Sequence, residues 1–140
     1  MNNDASVFIQ RGDSMKVTMT SNGNFKKTTR FLTRLSHYNP RPIMTSTGRN
    51  LVSSLHAATP VRTGETANGW KFKVEKTRNG YEMYVYNTAH PETGTNVARL
   101  LDVGHGTRNG GYIPGRHYIK PATHGLLIVG SNQIKKAVSK

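Results

Sequence analysis

Three histidines, His105, His117 and His124, fall with Asp102 in the last third of the chain, and imidazole with carboxylate is a donor set that zinc or manganese accepts. A metal-dependent hydrolase is the reaction such a set would serve. Their spacing matches neither His-Glu-x-x-His nor a comparable ligand pattern, so turn and interface hydrogen bonding is the expected use of these side chains. Among the other carboxylates, Glu65, Glu75, Glu82 and Glu92 sit at separations that single out no acid–base pair. Glu75 and Glu82 flank a turn signal and read as surface partners for nearby lysines. Asp102-Val103-Gly104-His105-Gly106 lacks the Gly-Lys-Ser/Thr ending of a phosphate loop, and no buried strand leads into its glycines as a dinucleotide site requires. Cysteine is absent, which removes disulfides, thiolate metal sites and thiol nucleophiles. The expectation is a non-enzyme with no cofactor, no metal and no small-molecule substrate.

Charge is the stronger signal. Lys and Arg number 20 against 7 Asp and Glu, a formal charge of +13 at pH 7, so the partner should be acidic. The cations are spread: Lys26, Lys27, Arg30 and Arg34, then Lys71, Lys73, Lys76 and Arg78, then Lys135, Lys136 and Lys140. Dispersed charge suits a generally acidic environment better than a single reading head, and neither a helix-turn-helix nor a zinc finger is present. Coating of nucleic acid without sequence preference stands as a rival reading. Hydrophobic residues make up 34% of the chain, a thin core for its 140 residues, and such a protomer gains burial from its neighbours. No apolar run approaches the ~20 residues of a membrane span, and Met1-Asn2-Asn3-Asp4 lacks the pattern of a secretory signal. The chain is expected to be soluble, without membrane contact, and to act where it is made. Arg11-Gly12-Asp13 spells an adhesion tripeptide, but without an export signal it reads as a turn.

The elements that must position these groups follow from periodicity. Residues 1–14 are mostly polar and read as a flexible arm that orders on a partner, followed by a single domain over 15–140. Met15-Lys16-Val17-Thr18-Met19-Thr20 alternates as a short strand. Phe25, Thr28, Thr29, Leu32 and Leu35 recur at helical spacing to His37, with the first group of cations on other faces. Pro42 suits a helix first turn, Met44, Gly48, Leu51, Leu55 and Ala58 make one stripe, and Pro60 ends that helix. Trp70, Phe72 and Val74 alternate with Lys71, Lys73 and Glu75, and Tyr81, Met83 and Val85 alternate with Glu82, Tyr84 and Tyr86. Asn79-Gly80 between the two runs signals a hairpin with a type I′ turn. A short helix is expected over 96–103, a long glycine-rich loop over 104–115, an extended Tyr118-Ile119, and a closing helix from Pro121 with Leu126, Leu127, Val129, Ile134 and Val138 inward. The fold class is α+β: a small antiparallel sheet, a meander with an Asn-Gly hairpin, packed against an N-terminal helical hairpin and a C-terminal helix.

The order of these features resembles the neck family, the tail-completion or head–tail joining proteins of long-tailed, lambda-like bacteriophages. Thr59-Pro60-Val61-Arg62-Thr63-Gly64 is similar to the family's Pro-Val-x-Thr-Gly. The run from Arg99 through Asp102-Val103-Gly104-His105-Gly106-Thr107 resembles its Tyr-x-x-Glu-x-Gly-Thr. Gly115-Arg116-His117-Tyr118-Ile119-Lys120-Pro121-Ala122 resembles its Pro-x-Pro-Phe-Leu-x-Pro-Ala. Asp102 in place of Glu, Leu100 near the usual aromatic, and the amino-terminal arm are departures. The resemblance implies a structural virion protein, made in the host cytoplasm, that forms a ring joining the DNA-filled capsid to the tail. The ring would be hexameric, a tail terminator or another connector being the neighbouring alternatives. Its partners would be copies of itself, neck, connector or tail proteins with acidic surfaces, and phage DNA in the lumen. Candidate interface residues are Asp102, Arg108, Arg116, His117 and Tyr118; Thr63 and Gly64 are candidate turn residues. Asp102 is expected either to pair with Arg99, Arg108 or Arg116, or to make an ordinary helix-end hydrogen bond.

Overall fold

The computed structural model describes residues 5–9, 15–19, 25–62 and 64–140. Strands β1 (Ala5–Ile9) and β2 (Met15–Met19) precede helices α1 (Phe25–His37) and α2 (Arg41–Ala58), and the short α3 (Glu65–Asn68) leads into β3 (Trp70–Thr77) and β4 (Gly80–Asn87). A single 3-10 turn (Pro91–Thr93), α4 (Val97–Val103), the small strands β5 (Gly104–Gly106) and β6 (Tyr112–Pro114), and α5 (Ile119–Ser139) complete the chain. The α+β class holds. No helix among the described residues is long and apolar enough to cross a membrane.

The main sheet is antiparallel in the order β1-β2-β4-β3. Two hairpins therefore lie side by side and join through β2 and β4, with Met15 opposite Val85, because the helices intervene in sequence between β2 and β3. Ala5–Ile9, inside the segment expected to be a loose arm, pairs with β2 from Ala5 opposite Met19 to Ile9 opposite Met15. Its apolar Val7, Phe8 and Ile9 supply β propensity. The remainder of residues 1–14 lies outside the described residues.

The β3–β4 hairpin forms as its alternation requires, with Trp70 opposite Asn87 through to Thr77 opposite Gly80. Its turn differs from the type I′ expectation. Arg78 and Asn79 are the two loop residues and keep negative φ, while Gly80 takes the positive φ of 134°. A glycine that follows the loop relieves its central residues of the left-handed conformation.

α2 supplies the centre of the core. Met44, Thr47, Gly48, Leu51 and Leu55 are buried at spacings of three and four, and Leu51 and Leu55 are shut off from solvent completely. This face lies on β3 and β4 and against α5. A side chain at Gly48 would run into the ring of Phe72, and one at Gly130 of α5 would meet Thr47, so glycine sets how closely α2 approaches each neighbour. Trp70 closes the end of the core, its indole N–H donating to Thr59 Oγ1 at 2.8 Å, while the Thr59 hydroxyl donates to the Leu55 carbonyl. A buried donor is thereby satisfied without water.

Two helices depart from their expected faces. In α1, Leu32 is half exposed and Phe31 is the residue turned to the core. The helix rests chiefly on α5, so only a narrow stripe of it needs to be apolar. α5 begins at Ile119, two residues before Pro121, in place of an extended Tyr118-Ile119. A proline in the first turn removes an N–H that has no helical partner, so it does not have to start the helix. Leu127, Ile134 and Val138 turn inward as expected, but Val129 faces solvent.

Candidate interface at the small hairpin

Residues 104–115, expected to be a long loop, form a second antiparallel ladder: Gly104 pairs with Pro114, His105 with Ile113 and Gly106 with Tyr112. Glycine, histidine and proline carry no alternating apolar signal, which is why periodicity passed over these strands. What builds them is steric. Gly104 ends α4 at a φ of 85°, and a Cβ there would meet Tyr112, the Ile113 carbonyl and the Gly115 amide. Gly115 has no more room, since its Cβ would strike the Asp102 and Val103 backbone. At the tip, Thr107 N–H donates to the Gly111 carbonyl at 2.7 Å and Gly110 N–H to the Thr107 carbonyl at 3.1 Å.

The root of the hairpin is tied to the body by backbone. Arg116 N–H donates to the Leu101 carbonyl and His117 N–H to the Asp102 carbonyl, both at 2.9 Å. His117 adopts the left-handed region at a φ of 50°, a conformation costing roughly 1–3 kcal/mol that the flanking bonds sustain. Asp102 then resolves its two expectations in favour of the helix end: its Oδ1 accepts from Ile119 N–H at 2.9 Å. The carboxylate meets the first orphan donor of α5 and the positive end of that helix. No ion pair joins Asp102 to Arg99, Arg108 or Arg116 among the described residues.

Tyr118, expected at the surface of an interface, is 7% exposed and belongs to the core. Its hydroxyl donates to the Ala98 carbonyl at 3.0 Å, linking α5 to α4. Burial pushes this phenol above its usual range; the Thr59 hydroxyl acts in the opposite sense, and the Asp102 charge adds to the rise. Tyr118 therefore positions the hairpin and does not present a contact. Gly64, at a φ of 82°, makes the turn into α3, as its pairing with Thr63 suggested; Thr63 lies outside the described residues.

Outward from this root the hairpin displays Val103, Tyr112 and Ile113, all about half exposed or more, with Tyr112 at 66%. Arg108, Arg116 and His117 of the same segment are also exposed, and neither arginine has a carboxylate partner among the described residues. The apolar trio escaped the sequence reading, although Val103, Tyr112 and Ile113 are the main large apolar residues bracketing that stretch. The arrangement offers contact chemistry: exposed apolar side chains and unpaired guanidinium groups carried on one braced segment.

The three histidines weighed as metal ligands are not brought together. His105 sits in β5 with Nδ1 buried and unbonded, His117 at the hairpin root, and His124 exposed on α5. The residues that do converge are Glu65, His90 and Glu92, whose ligand atoms lie within 4.8 Å of one another. His90 Nδ1 is 3.4 Å from Glu65 and 3.3 Å from Glu92, so a ring nitrogen shared between two carboxylates accounts for the geometry as it stands. An open groove of 510 Å³ between α2 and α5 is lined by small side chains such as Ser53, Ser54, Ala57 and Gly125 and contains no titratable group. No protein-family model, curated protein or solved structure matches this chain significantly.

Proposed function

We propose that the chain is a structural virion protein of a long-tailed phage that assembles into a ring at the head–tail junction and joins the filled capsid to the tail. The observation that carries this reading is the braced hairpin with its exposed Val103, Tyr112 and Ile113 and its unpaired arginines. Exposed large apolar side chains gathered in one segment mark surfaces that become covered, and aromatic residues and arginine are what protein interfaces favour at their centres. A hairpin that projects from one edge of a subunit suits a head-to-tail contact, which closes into a ring when the rotation between copies permits. The resemblance in motif order supports the same reading, since the segments most like the neck family, 99–107 and 115–122, are those that build the two sides of the hairpin root. Acidic partners on the neighbouring neck or tail components follow from the charge of +13.

Charge reversal of the two guanidinium groups, Arg108→Glu with Arg116→Glu, tests the reading. Both side chains are exposed, so circular dichroism and the melting temperature should stay at the parental values. Self-association in sedimentation, and joining of purified heads to tails, should be lost. Joining at the parental yield would remove the hairpin as the contact surface. Recovery of the chain from neither heads nor tails of the assembled particle would remove the virion role itself.

A further inference from the structure

We propose that the cationic flank of α1 is a docking surface for the phosphate backbone of double-stranded DNA, engaged by Lys27, Arg30 and Arg34. The three side chains are all exposed, and their spacing of three and then four places them on one side of the helix over about 10 Å of its length. None has a carboxylate partner among the described residues, and α1 carries no acidic residue.

Helix stability does not explain the stripe. Arg34 lies in the last turn, where a cation complements the helix dipole, but Lys27 lies in the first turn, where it opposes it. Core packing does not explain it either: Phe31, the described α1 side chain turned to the core, stands about 40–100° round the helix from the three cations, and all three stay exposed beside it. The stripe also lacks an apolar anchor of the kind a protein partner would grip. The exposed Leu32 stands about 140–160° round the helix from all three cations. Exposed cations close together, with no exposed apolar side chain of α1 among them in the described residues, match a polyanion. Duplex DNA supplies one charge per about 1.7 Å of its axis, several over the length of the stripe, and needs no apolar contact. Guanidinium groups bond phosphate oxygens in pairs and Lys27 adds a point charge, so the contact reads no sequence.

This inference does not depend on the ring. The test is fluorescence anisotropy of the full-length protein with a short labelled duplex of arbitrary sequence over a series of salt concentrations. It compares the parent with two variants: Lys27→Gln, Arg30→Gln and Arg34→Gln together, and Arg108→Gln with Arg116→Gln. Three phosphate contacts contribute about −2.7 to the slope of log K against log salt. The stripe variant should therefore show a slope shallower by about that amount and at least a tenfold loss of affinity at low salt, with its circular dichroism unchanged. The hairpin variant should bind as the parent does, even where its self-association is lost. Parental affinity and slope in the stripe variant would overturn the proposal. Equal losses in both variants would do the same, by reducing the binding to net charge. Binding of the parent to phosphatidylserine vesicles but not to the duplex would overturn it in favour of a lipid surface. Failure of the hairpin variant to disrupt assembly bears on the ring alone.

Discussion

Tyr118 shows how a single hydroxyl joins fold and site. It bonds the Ala98 carbonyl across two helices and is kept neutral by its burial. A phenol whose folded pKa lies above the unfolded value of about 10 contributes fully below that pH, and the contribution is lost as pH climbs through the raised value. Tyr118→Phe should therefore make the alkaline fall in melting temperature shallower above pH about 10. At neutral pH it should cost about 1 kcal/mol through the unanswered carbonyl. Melting curves of both proteins from neutral pH into the alkaline range check the two signs. Some alkaline sensitivity should survive in the variant. Tyr84 is also raised, first by its hydrogen bond to Glu82, then by burial and by the charges of Glu82 and Glu75.

Among the elements, α2 sets the spacing of the layers. Alanine is the better helix former, yet Gly48→Ala should destabilise the protein by about 1–3 kcal/mol, because the added methyl meets the ring of Phe72. Urea denaturation decides the sign: a gain in stability would mean that sheet and helix separate freely. The same element shows what could be read from the chain alone. The stripe Met44, Gly48, Leu51 and Leu55 and the alternation of β3 and β4 are periodic, and both were legible, because burial on one side of a long element imposes a period. The Gly104–Gly106 and Tyr112–Pro114 strands and the inward turn of Tyr118 have no such pattern. They arise from a left-handed glycine, a crowded Gly115 and a carboxylate that reaches another helix. Asp102, Arg108, Arg116 and His117 could be singled out by their place in the chain, but whether each faces outward or inward is a property of the root bonds. The inward turn of Phe31 in α1 was missed because Leu32 completes an apolar stripe with Phe25 and Leu35 in the sequence. The direction of a helix that touches its neighbours lightly is decided by tertiary contact, not by period.

For the molecule as a whole, the hairpin and the cationic side of α1 are separate surfaces with different chemistry. One offers apolar area with two guanidinium groups, the other charge alone. Their salt responses should differ accordingly, since contacts with phosphate weaken steeply with ionic strength while burial of apolar groups does not. Assembly through the hairpin should persist at salt concentrations that release a duplex. The binding series repeated on the associated protein, with sedimentation beside it, reads both at once.

The root of the hairpin has a practical consequence. Because Arg116 and His117 are stitched back to Leu101 and Asp102, the bend between Thr107 and Gly111 hangs beyond a closed staple, and its length is free to vary without disturbing what lies beneath. Lengthening such a bend adds only a slowly growing entropy cost. A peptide epitope of about nine residues spliced in after Asn109 should be recognised by its antibody on the native protein while the melting temperature falls by no more than about 4 °C, the roughly 1.2 kcal/mol that two doublings of the bend cost in a chain of this size. A larger drop would mean that the tip itself helps to hold the body together.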